Sequence, residues 1–308
     1  MTLQQLEYVL ALARLGNFAK AADYCDVTQP TLSSMIQKLE TELGMKIFDR
    51  RRQPVVVTKA GRAVIEQAKE VLYQARRLRE VVEEEKETLL GTFSIGILPT
   101  IAPYLIPHFF PQLLRDHPEM DVRIIEMQTE EIKQALLHGD IDAGILAQTE
   151  GLETFDSIPL YSERFYAYVS EDDPLFAKER VKAIDFNNEF LWLLDEGHCF
   201  RDQLVKYCQL KSASVSKKAY TLGSIETFMR IVENGKGVTF IPELALSQLS
   251  DTQLRLVRPF ALPEPRRDII MLMPRDFIRR RLLAMLVERI QSGVKPLLKR
   301  DYKKEMPR

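Results

Sequence analysis

The first 45 residues alternate apolar stripes with polar positions at helical spacing. Apolar side chains at three- and four-residue steps predict an amphipathic helix that Gly16 ends. A short second helix is predicted over 18–25, and a third follows its N-cap Thr28, tolerates Pro30 in its first turn and stops at Gly44. The side chains expected to face inward are Leu3, Leu6, Val9, Leu10, Ala13, Phe18, Ala21, Ala22, Cys25, Leu32, Ile36, Leu39 and Leu43.

The third predicted helix has a small, polar outer face. Two short helices joined by the turn DVTQ, with such a face on the second, are typical of a helix-turn-helix. Short hydroxyl side chains let a helix approach base edges, and amide side chains can pair with adenine. The pattern therefore favours DNA binding, with a generic three-helix bundle as the alternative. The outer face consists of Gln29, Thr31, Ser33, Ser34, Gln37 and Lys38.

The segment KIFDRRRQPVVVTKAG, residues 46–61, predicts a strand, a turn and a second strand. This is the pattern of a wing, and its expected tip carries Arg50, Arg51 and Arg52. An arginine beside a recognition helix can neutralise a phosphate or enter a narrow minor groove.

The stretch from Thr58 to Leu90 contains no proline, and its single glycine is Gly61. Apolar residues recur at alternating four- and three-residue steps, which predicts one long helix with a coiled-coil seam. Because a solvated helix cannot bury such a seam alone, we expect it to pair with another protomer, and we expect a hinge near 88–91. The seam consists of Val64, Ala68, Val71, Ala75, Leu78 and Val82.

From residue 92 the pattern changes to alternating strands and helices. Strands are predicted at 92–98, 121–127, 142–147, 164–170, 189–195, 237–242 and 266–274, and helices at 101–117, 130–139, 224–235 and 277–293. This alternation predicts an α/β fold with a parallel or mixed sheet, divided into two subdomains with a cleft between them. Thr100 and Thr129 follow the first two strands, where ligands of such sheets bind, or they cap the helices that come next.

Composition narrows the class of protein. The chain has 308 residues, of which 45% are hydrophobic and 28% charged, and no apolar run reaches the roughly 18 residues of a membrane span. Three cysteines and the absence of a signal-peptide pattern predict a cytoplasmic, reducing compartment. The common enzyme motifs are absent and the four histidines lack metal-ligand spacing, so we expect a non-enzyme with no cofactor and no metal.

Two of the cysteines, Cys199 and Cys208, lie nine positions apart. His198, Arg201 and an expected helix N-terminus would favour the thiolate of Cys199, which is the nucleophilic form. If the segment between them is helical, their Cα atoms are about 13.5 Å apart, whereas a disulfide needs about 4.4–6.8 Å. Bridging them would require the helix to unravel, as in a redox switch. The alternative is that both are inert small hydrophobes, as we expect of Cys25.

The order of elements and the stretch 6–50, from LEYVL to KIFDR, resemble the LysR-type transcriptional regulators. The resemblance implies that Gln29, Pro30, Thr31 and Ser33 of the recognition helix contact DNA and that the wing arginines touch its backbone. Ser34 stands where relatives often have a basic residue.

The C-terminal region, from about 91 to about 275, resembles the branch of that family that senses hydrogen peroxide. The matching segments are GILPTIAPYLIPH, DEGHCFRDQ, SIETFMRIVENGKGVTFIPELA and PEPRR. The resemblance implies that Cys199 is the peroxidatic thiol, that Cys208 resolves it and that Arg266 belongs to an activating surface. The implied peroxide pocket consists of Thr100, Thr129, His198, Arg201 and Asp202. The chain departs from the usual pattern at DEGHC and at Gly223, where a threonine is frequent.

The expected organisation is a winged helix-turn-helix at 1–58, a linker helix and hinge at 59–90, and a regulatory domain at 91–308. Within the latter, a two-lobed arrangement like that of periplasmic binding proteins would place lobe I at about 91–161 and 267–300 and lobe II at about 162–266. The implied partners are promoter DNA, further copies of the chain in a dimer and a tetramer, and RNA polymerase, with hydrogen peroxide as the signal and no membrane. The alternatives are a signal that is a small metabolite bound between the lobes, and a thiol peroxidase, which a helix-turn-helix argues against.

Overall fold

The computed structural model describes residues 1–85, 91–188, 191–194, 200, 203–204, 207 and 224–298. The chain divides into two compact units, Met1–Thr88 and Leu89–Arg308. Within the described ranges, no helix combines the length and the apolar character needed to cross a membrane.

The first unit is a winged helix-turn-helix followed by a long helix. Its elements are α1 (Leu3–Leu15), α2 (Phe18–Tyr24), α3 (Gln29–Glu42), β1 (Phe48–Asp49), β2 (Val56–Val57) and α4 (Lys59–Glu85). The predicted N-cap of α3 is confirmed, because the Thr28 hydroxyl accepts a hydrogen bond from the Thr31 backbone N–H at 3.4 Å. Gly16 ends α1 in the left-handed conformation, with φ +60°, which glycine adopts without strain.

The apolar stripes of α1, α2 and α3 form one core, but two residues predicted to face inward do not. Leu3 is 44% exposed because the buried face of α1 centres on Tyr8 and Leu12. Leu43 is 37% exposed, since it lies beyond the last residue of α3, where the left-handed Gly44 turns the chain. Leu10, Ala13, Phe18 and Cys25 are partly buried against the same core.

Helix α4 has two different halves. Its first half packs on the winged unit, where Ile65 and Ala68 are buried. In its second half Leu78 is 70% exposed, Val81 43% and Val82 44%. The described chain therefore covers the beginning of the predicted seam and leaves its end open to solvent.

The second unit is an α/β region. Its strands are β3 (Gly91–Ile97), β4 (Met120–Glu126), β5 (Ala143–Ala147), β6 (Phe155–Val169), β7 (Val238–Pro242), β8 (Val257–Pro259) and β9 (Arg266–Pro274). Its helices are α5 (Ala102–Asp116), α6 (Thr129–His138), α7 (Ile225–Asn234), α8 (Asp251–Leu254) and α9 (Arg280–Leu298), with short 3₁₀ turns at Pro174–Ala177, Ala183–Asn188 and Glu243–Gln248.

The strands form a mixed sheet in the order β4-β3-β5-β9-β6-β7, with β8 paired to β6. Strand β3 runs parallel to β4 and β5, whereas β9 and the strands beyond it pair antiparallel. Strand β6 is long enough to pair with β9 through its first part and with β7 and β8 through its last part. The predicted fold class is confirmed, with a mixed sheet, whereas the lobe boundaries stay a prediction.

Three predicted elements of this unit had wrong bounds. Strand β6 begins at Phe155 instead of residue 164, because its first half lacks a regular alternation of apolar and polar residues, contains Pro159 and is bulged against β9. Of the strand expected at 189–195, the described residues 191–194 contribute one bridge, between Leu191 and Val238. The last helix continues past Gly293 to Leu298.

Candidate functional site

The polar face of α3 points away from the core of the first unit, as predicted. Gln29, Thr31 and Ser34 are exposed, as are Gln37 and Lys38, because the apolar stripe on the opposite side of the helix is buried. Pro30 is exposed in the first turn of α3, and Ser33 is half-buried. This face is therefore accessible to a macromolecule.

Glu40 connects α3 to the wing and was not singled out from the sequence. Its buried carboxylate accepts hydrogen bonds from the backbone N–H groups of Ile47, at 2.9 Å, and Phe48, at 3.2 Å. The same carboxylate pairs with Lys46 at 3.2 Å and Arg50 at 3.1 Å. Because four donors converge on one buried charge, the position of the wing relative to α3 is fixed by Glu40.

The three wing arginines have different surroundings. Arg50, expected at the tip, instead turns towards α3, where it pairs with Glu40, donates to the Ser33 hydroxyl at 3.4 Å and lies 5.2 Å from the centre of the Phe18 ring. Arg51 and Arg52 are exposed, and Arg52 pairs with Asp49 at 3.6 Å. A concave surface between α2 and the wing is lined by Asn17, Lys20, Gln29, Arg50, Arg52 and Gln53.

In the second unit, Thr100 is buried just beyond the carboxyl end of β3. Arg267 donates from Nη1 to the Thr100 hydroxyl at 3.1 Å and from Nη2 to the Thr100 carbonyl at 3.0 Å. Thr129 is buried just beyond the end of β4, and β3 and β4 are neighbouring parallel strands. The two threonines therefore lie at the same edge of the sheet, as predicted.

The alternative interpretation, in which these threonines cap helices, is wrong for both. The N-cap of α5 is Ile101, which makes no side-chain capping bond. The N-cap of α6 is Gln128, which forms a capping box with Glu131. Thr129 is the first residue of α6 instead of its cap.

Arg267 is also half of a buried ion pair. It faces Glu163 across the antiparallel β6–β9 pair, and its Nε donates to the Glu163 carboxylate at 2.8 Å. Burial raises the pKa of the Glu163 carboxyl, while the Arg267 charge acts in the opposite direction. Removing one partner of a buried ion pair costs much of the free energy of folding, because the remaining charge stays buried without a counter-charge.

Cys199, Cys208, His198, Arg201 and Asp202 lie outside the described residues, so their predicted roles stay predictions. Four described neighbours of the two cysteines, Phe200, Gln203, Leu204 and Tyr207, are helical.

The Phe200 ring, next in sequence to Cys199, packs edge-on against Phe165 with 4.9 Å between ring centres. The Arg267 guanidinium lies 5.0 Å from the centre of the Phe200 ring. The residue that follows Cys199 thus contacts the same arginine that holds Thr100.

Cys25 differs in its surroundings from what is expected of a reactive thiol. It is the half-buried C-cap of α2, and burial together with the nearby Glu7 charge raises the pKa of its thiol. Its thiolate is therefore disfavoured, in agreement with the expectation that it is inert. Across the described ranges, no three His, Cys, Asp or Glu side chains gather as a metal site would require.

From the sequence, Arg266 was assigned to an activating surface, and no role was predicted for Arg267. In strand β9 Arg266 is exposed and Arg267 is buried. The burial of Arg267 could have been predicted from the alternation of side chains along a strand. Arg267, Ile269 and Met271 are two residues apart and so share one face of the sheet, and the two apolar residues indicate that this face is buried. No comparable local signal marks Glu163, whose partner is 104 residues away in the chain.

Comparison with known proteins agrees with this architecture. Residues 3–62 match the bacterial regulatory helix-turn-helix family of lysR type, and residues 86–295 match the LysR substrate binding domain. The chain belongs to the LysR family of bacterial transcriptional regulators.

Within that family the chain is similar to proteins named OxyR. It is 36% identical over 269 residues to the DNA-binding transcriptional dual regulator OxyR of Escherichia coli K12, covering 87% of this chain and 88% of that protein. The solved structure of full-length OxyR C199D from Pseudomonas aeruginosa matches with a TM-score of 0.74 and 35% identity, covering 94% and 98% of the two chains. An H2O2-bound OxyR cysteine mutant from Corynebacterium glutamicum matches with a TM-score of 0.63 and 27% identity, covering 96% and 94%.

Proposed function

We propose that this protein is a redox-responsive, DNA-binding transcriptional regulator that senses hydrogen peroxide through Cys199 and a reversible Cys199–Cys208 disulfide. The observation that carries the proposal is the packing of Phe200, the residue after Cys199, on the Arg267 guanidinium that holds Thr100. A buried hydroxyl at the sheet edge and a cysteine beside a cationic cluster are the groups that peroxide chemistry needs. The similarity to OxyR proteins, one of them H2O2-bound, supports the same signal.

The chemistry has two steps, each of which balances. The Cys199 thiolate attacks one oxygen of hydrogen peroxide, the O–O bond breaks, and a sulfenic acid forms while the departing hydroxide takes up a proton to become water. The Cys208 sulfur then attacks the Cys199 sulfur, the S–O bond breaks, and the Cys208 proton leaves with that oxygen as a second water. The two sulfurs lose two electrons in total, and peroxide gains them.

Around the reacting thiol, we assign Thr100 and Thr129 as hydroxyl groups that hold the peroxide, and His198, Arg201 and Asp202 as the polar groups beside the thiol. The described geometry supports the first of these roles, because the Thr100 hydroxyl is fixed in place by Arg267. A positioned hydroxyl can orient peroxide for in-line attack, which lowers the entropic cost of the reaction.

The oxidised state requires a different conformation of the cysteine segment. Phe200, Gln203, Leu204 and Tyr207, which lie between the two cysteines in the chain, are helical. A helix that reached both cysteines would hold their Cα atoms about 13.5 Å apart. Because a disulfide allows at most about 6.8 Å between Cα atoms, the bond and the helix exclude one another. Oxidation therefore refolds this segment, and the refolding is the signal.

The output of the switch is promoter binding. We assign α3 as the recognition helix, with contacts from Gln29, Pro30, Thr31, Ser33, Ser34 and Gln37, and the wing arginines Arg50, Arg51 and Arg52 as phosphate contacts. The exposed half of α4 is the dimer seam, and two half-sites on DNA suit such a dimer. Two dimers form a tetramer whose arrangement changes on oxidation, and Arg266, exposed on β9, faces RNA polymerase.

The organisation that goes with this function has a DNA-binding domain at 1–58, a linker at 59–90 and a regulatory domain at 91–308. We place lobe I at about 91–161 and 267–300 and lobe II at about 162–266, with β6 and β9 crossing between them. The protein acts in the cytoplasm, where its promoters and a thiol reductant are found. It is a sensor that reacts once per reduction instead of an enzyme that turns over.

A promoter assay in cells that lack the natural protein tests the proposal. We expect peroxide to change reporter output with the unaltered chain and with Cys25→Ser, and to have no effect with Cys199→Ser or Cys208→Ser. A peroxide response in the double variant Cys199→Ser, Cys208→Ser would contradict the proposal and would favour a small metabolite as the signal.

A further inference from the structure

The Arg50 guanidinium is held in a fixed place beside α3. Its Nη2 donates to the Glu40 carboxylate at 3.1 Å, and its central carbon lies 5.2 Å from the centre of the Phe18 ring. The Glu40 side chain is fully buried, whereas the Arg50 side chain is 34% exposed. Because a charge-assisted hydrogen bond to a carboxylate is among the stronger ones, Arg50 keeps this position at the surface of the first unit.

From this position Arg50 reaches Ser33 on the outer face of α3. Its Nη1 donates to the Ser33 Oγ at 3.4 Å. The bond is long, but a guanidinium is always charged, and its field turns the oxygen of a nearby hydroxyl towards itself and the hydrogen away. The Ser33 oxygen therefore accepts from Arg50, and the Ser33 hydrogen points towards a different partner.

That hydrogen has no acceptor among the residues that the structure describes. A hydroxyl side chain in a helix can donate to the carbonyl four residues earlier, and Thr41 of α3 does so to Gln37 at 2.9 Å. Ser33 makes no such bond in the described chain, where its hydroxyl takes part only in the contact with Arg50. Ser33 is half-buried beside the exposed Ser34, so its donor is left for a partner outside the protein.

The other hydroxyl groups of this face have no fixed polarity. The Oγ1 atoms of Thr31 and Thr28 lie 2.8 Å apart, and either hydroxyl can be the donor. Ser34 is exposed, and its side chain makes no hydrogen bond to any residue within the described ranges. Such hydroxyls can pair with a donor or an acceptor on DNA, whereas the Arg50 charge biases Ser33 towards donating.

We propose that Arg50 is a positioning residue that determines base specificity, because it makes Ser33 a hydrogen-bond donor to an acceptor atom on a base edge. This inference rests on the proposed function, since it presumes that α3 is the recognition helix. The major groove offers N7 and O6 of guanine, N7 of adenine and O4 of thymine as acceptors, whereas the amino group of cytosine is a donor. Ser33 therefore disfavours cytosine at the position that it reads.

The test uses the full-length chain, kept reduced with dithiothreitol, and a synthetic duplex that the unaltered chain selects from a random library. Affinities are measured at one salt concentration for each base pair at each position of one half-site. The position read by Ser33 is the one at which Ser33→Ala loses its base preference. We expect the unaltered chain to disfavour cytosine there by about fivefold, as for one hydrogen bond.

Arg50→Met removes the charge and keeps a long side chain. We expect the preference at that position to fall below about twofold, since Ser33 then accepts as readily as it donates. Preferences at other positions should stay, whereas loss of a phosphate contact alone would weaken binding by the same factor for every sequence. Arg50→Lys keeps the positive charge and should retain the preference. Arg50→Met with an unchanged preference would overturn the inference.

Lys46→Met is a matched control. Lys46 pairs with the same Glu40 carboxylate, at 3.2 Å. The variant takes one cation from Glu40, as Arg50→Met does, but leaves the contact between Arg50 and Ser33 in place. We expect the base preference to be kept even if the affinity falls for all sequences. If Lys46→Met flattened the preference as much as Arg50→Met, a loosened wing would explain the effect and the inference would be overturned.

Base analogues provide a measurement that does not depend on the folding of Arg50→Met. At the position read by Ser33, the preferred base is replaced by analogues that each lack one acceptor atom, such as 7-deazaguanine or 7-deazaadenine. One of these analogues should weaken binding about fivefold for the unaltered chain and leave the affinity of Ser33→Ala unchanged. If none of them affected the unaltered chain, Ser33 would not donate to a base, and the inference would be overturned.

The outcomes separate this inference from the proposed function. If the unaltered chain selects a sequence and Ser33→Ala loses no base preference at any position, the inference is overturned and DNA binding stands. If the unaltered chain selects no sequence from the library, both the inference and the DNA-binding part of the proposed function fail.

Discussion

Arg267 holds Thr100 at two points, through its hydroxyl at 3.1 Å and its carbonyl at 3.0 Å. The same guanidinium pairs with Glu163 on β6 and lies against the Phe200 ring. One buried charge thus fixes the end of β3, the crossing of β6 and β9, and the residue next to Cys199.

Replacing Arg267 should destabilise the second unit strongly. Arg267→Ala leaves the Glu163 carboxylate buried without its partner, and we expect a loss of about 3–5 kcal/mol in the free energy of unfolding. Urea unfolding followed by the fluorescence of Trp192, the single tryptophan, measures the change. Arg266→Ala is the control, since its exposed neighbouring side chain should change stability by less than about 0.5 kcal/mol. Equal effects would contradict the role assigned to Arg267.

Glu40 should matter for both stability and DNA binding. Glu40→Gln removes the charge that pairs with Lys46 and Arg50, and we expect a loss of about 1.5–3 kcal/mol in the free energy of unfolding, since bonds to a charged group are lost. Promoter affinity should fall too, because the wing is no longer fixed to α3. Glu42→Gln makes the same change on an exposed residue of the same helix and should alter neither quantity. If promoter affinity were the same for both variants, the Glu40 anchor would not position the wing.

The exposed end of α4 should carry the dimer. Leu78→Glu or Val82→Glu places a charge in the seam, and we expect dimers to dissociate at concentrations where the unaltered chain remains dimeric. Sedimentation velocity over a dilution series measures the change. Gln67→Glu adds the same charge at an exposed position of α4 outside the seam and should leave the dimer intact. A dimer that persists in Leu78→Glu would show that another surface holds the protomers together.

Cys25 and Cys199 should respond differently to pH. Burial and Glu7 raise the pKa of Cys25, so at neutral pH its thiolate fraction is below that of an ordinary thiol and its alkylation by iodoacetamide should be slow, rising only in alkaline solution. Cys199 has His198 and Arg201 as near neighbours in the sequence, and we expect these cationic groups to favour its thiolate, so that it alkylates rapidly already at neutral pH. Rates measured on single-cysteine variants between pH 6 and about 10 test this. Faster neutral alkylation of Cys25 than of Cys199 would reverse the assignment.

The first unit was predicted well because its signals are local. The cap at Thr28, the stop at Gly16 and the stripe of α3 all depend on residues a few positions apart, which sequence spacing reveals. The errors fell at helix ends, where Leu3 and Leu43 keep the periodicity but leave the packed surface. Helical periodicity predicts the side of the helix on which a side chain lies. It does not show whether another element packs against that side chain and buries it.

In the second unit the sequence predicted which elements occur more reliably than how they pair. The first half of β6 lacks an apolar alternation, and its partner β9 is remote in the chain, so that its strand character depends on tertiary pairing. The Arg267–Glu163 pair was out of reach for the same reason, since it joins residues 104 positions apart in the chain. The position of Thr100 and Thr129 at one edge of the sheet was predicted because strand ends can be located without knowledge of distant contacts, whereas their role in a peroxide pocket stays a prediction.

The central claim is that hydrogen peroxide joins Cys199 to Cys208. Full-length protein treated with one equivalent of hydrogen peroxide, alkylated and digested, should give by mass spectrometry a peptide pair linked through Cys199 and Cys208, with Cys25 recovered as a free alkylated thiol. Oxidised protein that contains no Cys199–Cys208 link, or a link that uses Cys25 instead, would contradict the account.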